Sequence, residues 1–399
     1  MLLFVLGRQP EIGLAELNAV SDGRASLIAP EIAVVDQNSD QNQPNDNFFK
    51  NVNKKKLSRL GSIIKCAEVF AEISDFSRAN LTKIATEKFG EVDGKITLGI
   101  SIYGKKSANF NSTKLGLELK NILRTKNSVR LIPSSDNALN SATVFHNNLA
   151  GENIKKTELI FVSTGDGKIL VGRTIFVQDI DAYTFRDRSR PKRDARVGML
   201  PPKLAQTMIN LTTKSAALND KILLDPFCGT GVVLQEASLM GLNVYGTDLE
   251  SRMIEYSDQN LAWLKQTHRI DFTQNLTVGD ATNFTWQQPL NFVATETYLG
   301  RPYASAPDEA NLRENIANCD LILTKFLKNL SQQVKSDAGI CVAVPCWFVK
   351  NRTIHLKLID NLSQIGFEQI FYSANREPLI YHRENQVVGR ELLVLRKKS

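Results

Sequence analysis

The sequence predicts an α/β protein, with a mostly parallel sheet and a reversed final strand in its second half and an α+β region in its first. Three observations carry this. Lys221-Ile222-Leu223-Leu224-Asp225 is an apolar run ending in an acid; it turns through Pro226-Phe227-Cys228-Gly229-Thr230-Gly231 into 232–240, which is apolar on both flanks as a packed helix is. Gly241 then stands where a left-handed cap belongs, and Asn243-Val244-Tyr245-Gly246-Thr247-Asp248 is a second strand ending in a carboxylate, which completes a βαβ unit. Finally, no helix-length segment separates the strand-like runs 367–372 and 387–395, so they pair antiparallel rather than through a crossover.

Composition bounds the rest. A chain of 399 residues exceeds what one core holds and implies two or three domains. It is 42% hydrophobic and 23% charged, as ordinary globular proteins are. The net charge of +7 favours a polyanionic partner. Cys66, Cys228, Cys319, Cys341 and Cys346 are scattered, with no C-x-x-C pair and only four histidines, so neither a metal site nor a disulfide framework is expected. The opening residues 1–7 lack a basic leader and are broken by Arg8, so they read as a strand, not a signal peptide. No apolar run approaches the roughly 18 residues that cross a bilayer. A cytoplasmic protein without a membrane segment is the expectation.

In chain order, 2–6 reads as a strand, 10–20 as a helix with apolar positions 12, 14, 17 and 20, and 25–29 and 32–35 as strands. The run of Asn, Gln, Asp and Ser over 36–47 reads as a mobile loop. A second unit begins near Asp75, with helices over 81–89 and 115–123 and strands over 96–102, 129–133, 158–163 and 168–177, the last following the Gly165-Asp166-Gly167 turn. Between Arg186 and Arg196 lie six basic residues in eleven positions. This strip is either a solvated linker or a phosphate-contacting surface, and in the second case Arg186, Arg188, Arg190, Lys192 and Arg193 are its RNA-binding candidates. Proline opens a helix over 201–211; later come a helix around 253–264, strands over 276–281 and 290–294, a helix around 322–330, a strand over 340–344 and a short helix near 355–362.

The chemistry starts at the strand ends. In an open α/β sheet, ligands sit beyond the carboxyl ends of the strands, where Asp225 and Asp248 fall. An acid ending the second strand is the usual partner of ribose hydroxyls, which points to a nucleoside. The loop has no lysine after Gly231 for a phosphate and no G-x-G-x-x-G for a pyrophosphate. Asp225 at the mouth favours a cationic ligand end. S-adenosyl-L-methionine, with its ammonium, sulfonium and ribose, fits these electrostatics better than NAD or ATP. On the fourth strand, Thr295-Glu296-Thr297-Tyr298 supplies the acceptor side. Tyr298 offers a face on which a flipped base stacks, or else closes the pocket. Thr295 or Glu296 can accept hydrogen bonds from an exocyclic amine. Neither Cys341 nor Cys346 has an adjacent base that would make it a nucleophile.

Asp225-Pro226-Phe227-Cys228-Gly229-Thr230-Gly231, preceded by Arg190-Pro191-Lys192-Arg193-Asp194 and Pro201-Pro202-Lys203-Leu204-Ala205, resembles the THUMP-containing tRNA guanosine-N2 methyltransferases that modify position 10. Leu6-Gly7-Arg8-Gln9-Pro10-Glu11 with Leu14-Ala15-Glu16-Leu17 resembles the start of that family's N-terminal domain. The resemblance implies a ferredoxin-like domain over 1–74, a THUMP domain over 75–178 gripping the tRNA acceptor end, a basic linker over 179–200, and a class I (Rossmann-like) methyltransferase domain over 201–399. It implies that Asp225, Phe227, Gly229 and Gly231 line the cofactor, that Asp248 binds its ribose, and that Asp280 with Ala281 contacts its adenine. The family's [D/N/S]-P-P-[Y/F] motif is altered to Thr295-Glu296-Thr297-Tyr298, so either Thr295 or Glu296 takes the polar place. Three readings stand: a methyltransferase on a guanine amine in tRNA; the same chemistry on another RNA or on DNA; and an RNA-binding homologue without turnover. The oligomeric state, monomer or with a partner subunit, is left open.

Overall fold

The computed structural model describes residues 1–36, 48–49, 52–104, 111–194, 199–287, 289–301, 303, 307–350, 352–373, 375–384 and 386–398. The expected loop over 36–47 lies outside them but for Asp36, as do Ala195 and Arg196 at the end of the basic strip. The chain divides into two compact units, Met1–Ala182 and Tyr183–Ser399.

The first unit contains β1 (Leu2–Leu6), α1 (Pro10–Ser21), β2 (Ala25–Ala29), β3 (Ile32–Val35), α2 (Lys54–Leu57), β4 (Ile63–Ile73), α3 (Arg78–Phe89), β5 (Gly94–Tyr103), α4 (Ser112–Leu123), β6 (Asn127–Leu131), α5 (Ser141–His146), β7 (Lys156–Ser163) and β8 (Ile169–Val177). These strands share one eight-stranded sheet in the order β2-β3-β1-β4-β8-β7-β5-β6. β4 joins its two halves, pairing with β1 on one side and with β8 on the other. α3 and α4 bury Leu81, Ile84, Leu115 and Leu119 against Ile96, Leu98 and Phe161, while α1 buries Leu17 and Val20 with Phe4 and Ile63 in a separate core. Inside the sheet lies a charged cluster. Glu158 accepts from Lys65 Nζ at 2.5 Å, from Ser101 Oγ at 2.5 Å and from Thr174 Oγ1 at 2.7 Å, and Lys65 also donates to the Leu139 carbonyl at 2.6 Å. Both charged side chains are sealed, so these bonds offset the cost of taking them out of water.

α6 (Ile180–Arg188) crosses the division of the chain, so the expected linker begins as helix. The second unit continues with α7 (Pro202–Thr213), β9 (Ile222–Asp225), α8 (Val232–Leu239), β10 (Asn243–Asp248), α9 (Ser251–His268), β11 (Gln274–Val278), β12 (Phe292–Glu296), α10 (Glu309–Gln333), β13 (Gly339–Val349), β14 (Arg352–Ile354), a 3₁₀ turn into α11 (Leu362–Ile365), β15 (Phe367–Gln369), β16 (Leu379–Tyr381) and β17 (Val388–Lys397). The sheet order is β11-β10-β9-β12-β13-β17-β15, with β14 added to β13 and β16 to β17. β9 to β13 are parallel, whereas β17 runs antiparallel to both β13 and β15. The reversed final strand follows from the short connection, as expected. α10 is longer than its apolar pattern suggested, because Asp308 caps it by accepting from the Asn311 amide at 2.9 Å. The sheet order changes direction between β9 and β12, and that opens the crevice where ligands bind in such folds.

Candidate active site

β9 and β10 are nearly buried on both faces, and their register sets Gly246 opposite Asp225. The chain leaves β9 through a turn in which Gly229 has φ 50° and Gly231 φ 80°. That left-handed region strains any other residue, and a Cβ at Gly231 would also stand 2.8 Å from Ser257 Oγ. Ser257 Oγ donates to the Gly229 carbonyl at 2.8 Å, and Asn260 Nδ2 to the Thr230 carbonyl at 2.8 Å, so α9 fixes the loop from below. The Gly229 amide donates to Asp248 Oδ2 at 2.9 Å and the Glu250 amide to Asp248 Oδ1 at 3.0 Å, which aims the second-strand acid at the loop.

Asp225 is 2% exposed. Its Oδ1 accepts from Thr295 Oγ1 at 2.6 Å and from the Phe227 amide at 3.2 Å. Burial, with the nearby charges of Asp248 and Glu296, pushes its carboxyl up to about 7 despite those donors. Burial raises Asp248 as well. Asp225, Phe227, Gly229, Gly231 and Asp248 are thus brought together at the tips of β9 and β10. Asp280 follows β11, its Oδ1 accepting from the Thr282 amide at 2.9 Å, and Ala281 beside it is buried in the core.

The fourth strand runs two residues past its expected end: Thr295 and Glu296 close β12, pairing with Val342 and Ala343 of β13. Thr295 is sealed and its hydroxyl is turned to Asp225. Glu296 is ion-paired with Arg390 of β17; burial raises its carboxyl while Arg390 pulls it the other way. Thr297 Oγ1 donates to the Ala343 carbonyl at 3.0 Å, and Tyr298 emerges 42% exposed.

The basic strip is corrected in part. Arg186 is turned inward, donating to Glu236 at 2.8 Å and lying over the Tyr183 ring, and Arg190 is 4% exposed beside Asp187 and Met199. A buried Glu236 demands a cation, so the fold takes Arg186 that a solvated strip would have left outside. Lys192 is half-buried, its Nζ over the Tyr256 ring and its backbone held on both sides by Asn260, while Arg188 and Arg193 are exposed. Composition did not single out Ser257, Asn260 or Arg390. Of these, Arg390 left a signal, being one of two charges, with Glu391, within the strand-like run 387–395. Among the described residues, no cluster of His, Cys, Asp and Glu could hold a metal, and no helix is long and apolar enough to cross a membrane.

Residues 190–344 match the RMKL-like methyltransferase domain family. The chain is similar to the tRNA (guanine(10)-N2)-dimethyltransferase of Methanothermobacter thermautotrophicus, at 32% identity over 37% of this chain and 39% of that one. It is also similar to the probable tRNA (guanine(10)-N2)-dimethyltransferase of Methanothermococcus thermolithotrophicus, at 32% identity over 31% of this chain and 74% of that one. The match spans about two fifths of the length of the first of these relatives. Among solved structures, TrmN from Thermus thermophilus shares the fold, with TM-score 0.50 and 14% identity over 99% of both chains. With the strand order, the glycine turn and the strand-end acids in place, the match over 74% of the Methanothermococcus thermolithotrophicus protein leads to one conclusion: the chain belongs to the family of the tRNA (guanine(10)-N2)-dimethyltransferases.

Proposed function

We propose that this protein transfers a methyl group from S-adenosyl-L-methionine to the exocyclic N2 of a guanosine in tRNA, with position 10 suggested by the names of its relatives. The observation that carries the reading is Asp225, a sealed carboxylate beside a second acid and, among the described residues, bonded to no basic side chain. Such a group asks for a positive ligand end. The donor set fits S-adenosyl-L-methionine, which when bound supplies an activated methyl on a sulfonium.

Asp225 and the Phe227–Gly231 turn line the amino-acid end, Asp248 takes the ribose hydroxyls, and Asp280 with Ala281 flanks the adenine. Thr295 acts through Asp225, holding its carboxyl in place. Tyr298 supplies the ring on which the flipped base stacks, worth roughly 1–3 kcal/mol. Glu296 accepts from an N–H of the guanine amine, which shifts electron density toward the nitrogen; correct placement of the reacting atoms accounts for much of the remaining rate. Arg188, Lys192 and Arg193 face the RNA phosphates, in keeping with the net charge of +7. Residues 75–178 act as the THUMP domain and 1–74 as its ferredoxin-like companion, in a cytoplasmic protein.

The test is incubation of the purified protein with unmodified tRNA and labelled S-adenosylmethionine, followed by nucleoside mapping. N2-methylguanosine is expected. Label in another base or in DNA alone replaces the substrate, and binding of S-adenosylhomocysteine without transfer to any nucleic acid leaves an RNA-binding homologue without turnover.

A further inference from the structure

We propose that Glu296 and Arg390 together read the hydrogen-bonding edge of the acceptor base, and that Arg390 is the residue that selects guanine. The inference rests on the function proposed above. Arg390 stands on β17 opposite Pro345 of β13, and its Nε donates to Glu296 Oε1 on β12, across the intervening strand. The pair therefore lies at the carboxyl end of the parallel strands, beside the crevice and two residues from the exposed ring of Tyr298. Neighbouring polar groups face elsewhere: Thr295 is turned to Asp225, Thr297 to the Ala343 carbonyl, and Glu391 to His355 Nδ1 at 2.6 Å.

Among the described residues the two side chains meet through Nε and Oε1. Neither Arg390 Nη nor Glu296 Oε2 is a sealed atom lacking a partner, and the side chains keep 10% and 17% exposure. A guanidinium donor and a carboxylate acceptor are thus held side by side with capacity to spare. Guanine presents the matching edge, with the O6 acceptor next to the N1–H and N2–H donors. Adenine presents the reverse, an N6–H donor next to a bare N1, so donors would meet donors and lone pairs would meet lone pairs. An edge built to hydrogen-bond one base rejects the other because its buried groups are left unpaired.

The test uses RNAs with either guanine or 2-aminopurine at the mapped methylation position. The second base keeps the N2 amine but lacks both O6 and the N1–H, so the share of discrimination that belongs to Arg390 is the change in the ratio between wild type and variant. The wild type should methylate the guanine RNA faster, and Arg390→Met should lower the guanine to 2-aminopurine ratio of kcat/KM by about 10- to 100-fold, the effect of one hydrogen bond to a charged group. Arg390→Lys, which keeps the charge and loses the fork, should lie between them. Equal losses on both bases would mean that Arg390 only supports the fold, and would overturn the inference while leaving the proposed function intact. If the wild type methylates no RNA, the proposed function falls and takes this inference with it. Retained calorimetric binding of S-adenosylhomocysteine reports that Arg390→Met is folded; if it is not, the same comparison with Arg390→Lys decides.

Discussion

Two sealed carboxylates, one in each unit, differ in how completely the fold balances their charge. Glu158 sits among a lysine and two hydroxyls, so both of its oxygens and its charge are balanced by the fold. Asp225 is as deeply buried, but its donors are one hydroxyl and one amide, and its charged neighbours are acids. Folding completes the first and leaves the second short of a cation. Deep burial by itself therefore says little about function, whereas burial without charge compensation at a strand tip says a good deal.

Removing charge balance should cost most at Glu158. Glu158→Ala strands the Lys65 ammonium in the sheet and should cost about 3–5 kcal/mol in urea unfolding, whereas the Lys65→Met/Glu158→Leu double variant should cost far less. An equal loss in both would show that packing, not charge balance, governs the site. Next in size, Asp248→Ala should weaken S-adenosylmethionine binding by about 1.5–3 kcal/mol in calorimetry, the range for hydrogen bonds to a charged group.

Acid–base behaviour sharpens the contrast further. The Asp225 carboxyl is raised from 3.8 to about 7, so between these values the folded, ligand-free protein holds a proton that the unfolded chain has released. This group's contribution to stability is fully present below pH 4 and declines as the pH rises toward 7, by at most about 1.4 kcal/mol per unit. Asp225→Asn should remove that slope from urea titrations. A cationic ligand favours the ionised form, so binding of S-adenosylmethionine at pH 6 should release up to one proton from Asp225, seen as a dependence of the binding heat on buffer ionisation enthalpy, and at pH 8.5 Asp225 should release none. The smallest effect belongs to the basic strip. Arg193→Ala should leave stability unchanged and lower the slope of log K against log salt for RNA by about 1. If it does not, the outward residues are no more RNA-facing than the inward ones.

Much of this was legible in the chain. The strand, glycine turn and helix at 221–240 follow from local pattern, and the reversal of β17 follows from the shortness of its connection. Partnerships between distant residues were not legible. Lys65 lies in β4, and its partner Glu158 comes far along the chain. The same holds for Arg390 and Glu296, and for Arg186 and Glu236. In each case a charge is drawn inward by a partner that only the tertiary fold supplies. The expected boundary at residue 74 falls inside a continuous sheet, because β4 pairs with strands from both expected domains.

All five cysteines are buried thiols, and burial pushes the pKa of each up, that of Cys319 and Cys346 to about 12, so little thiolate forms. An alkylating reagent attacks thiolates, so the folded molecule should be almost inert to it, and any adduct marks an opening event. Cys66 belongs to the first unit and the other four to the second. The mass and position of the earliest adduct would therefore tell which half of the molecule breathes first, without a single engineered label.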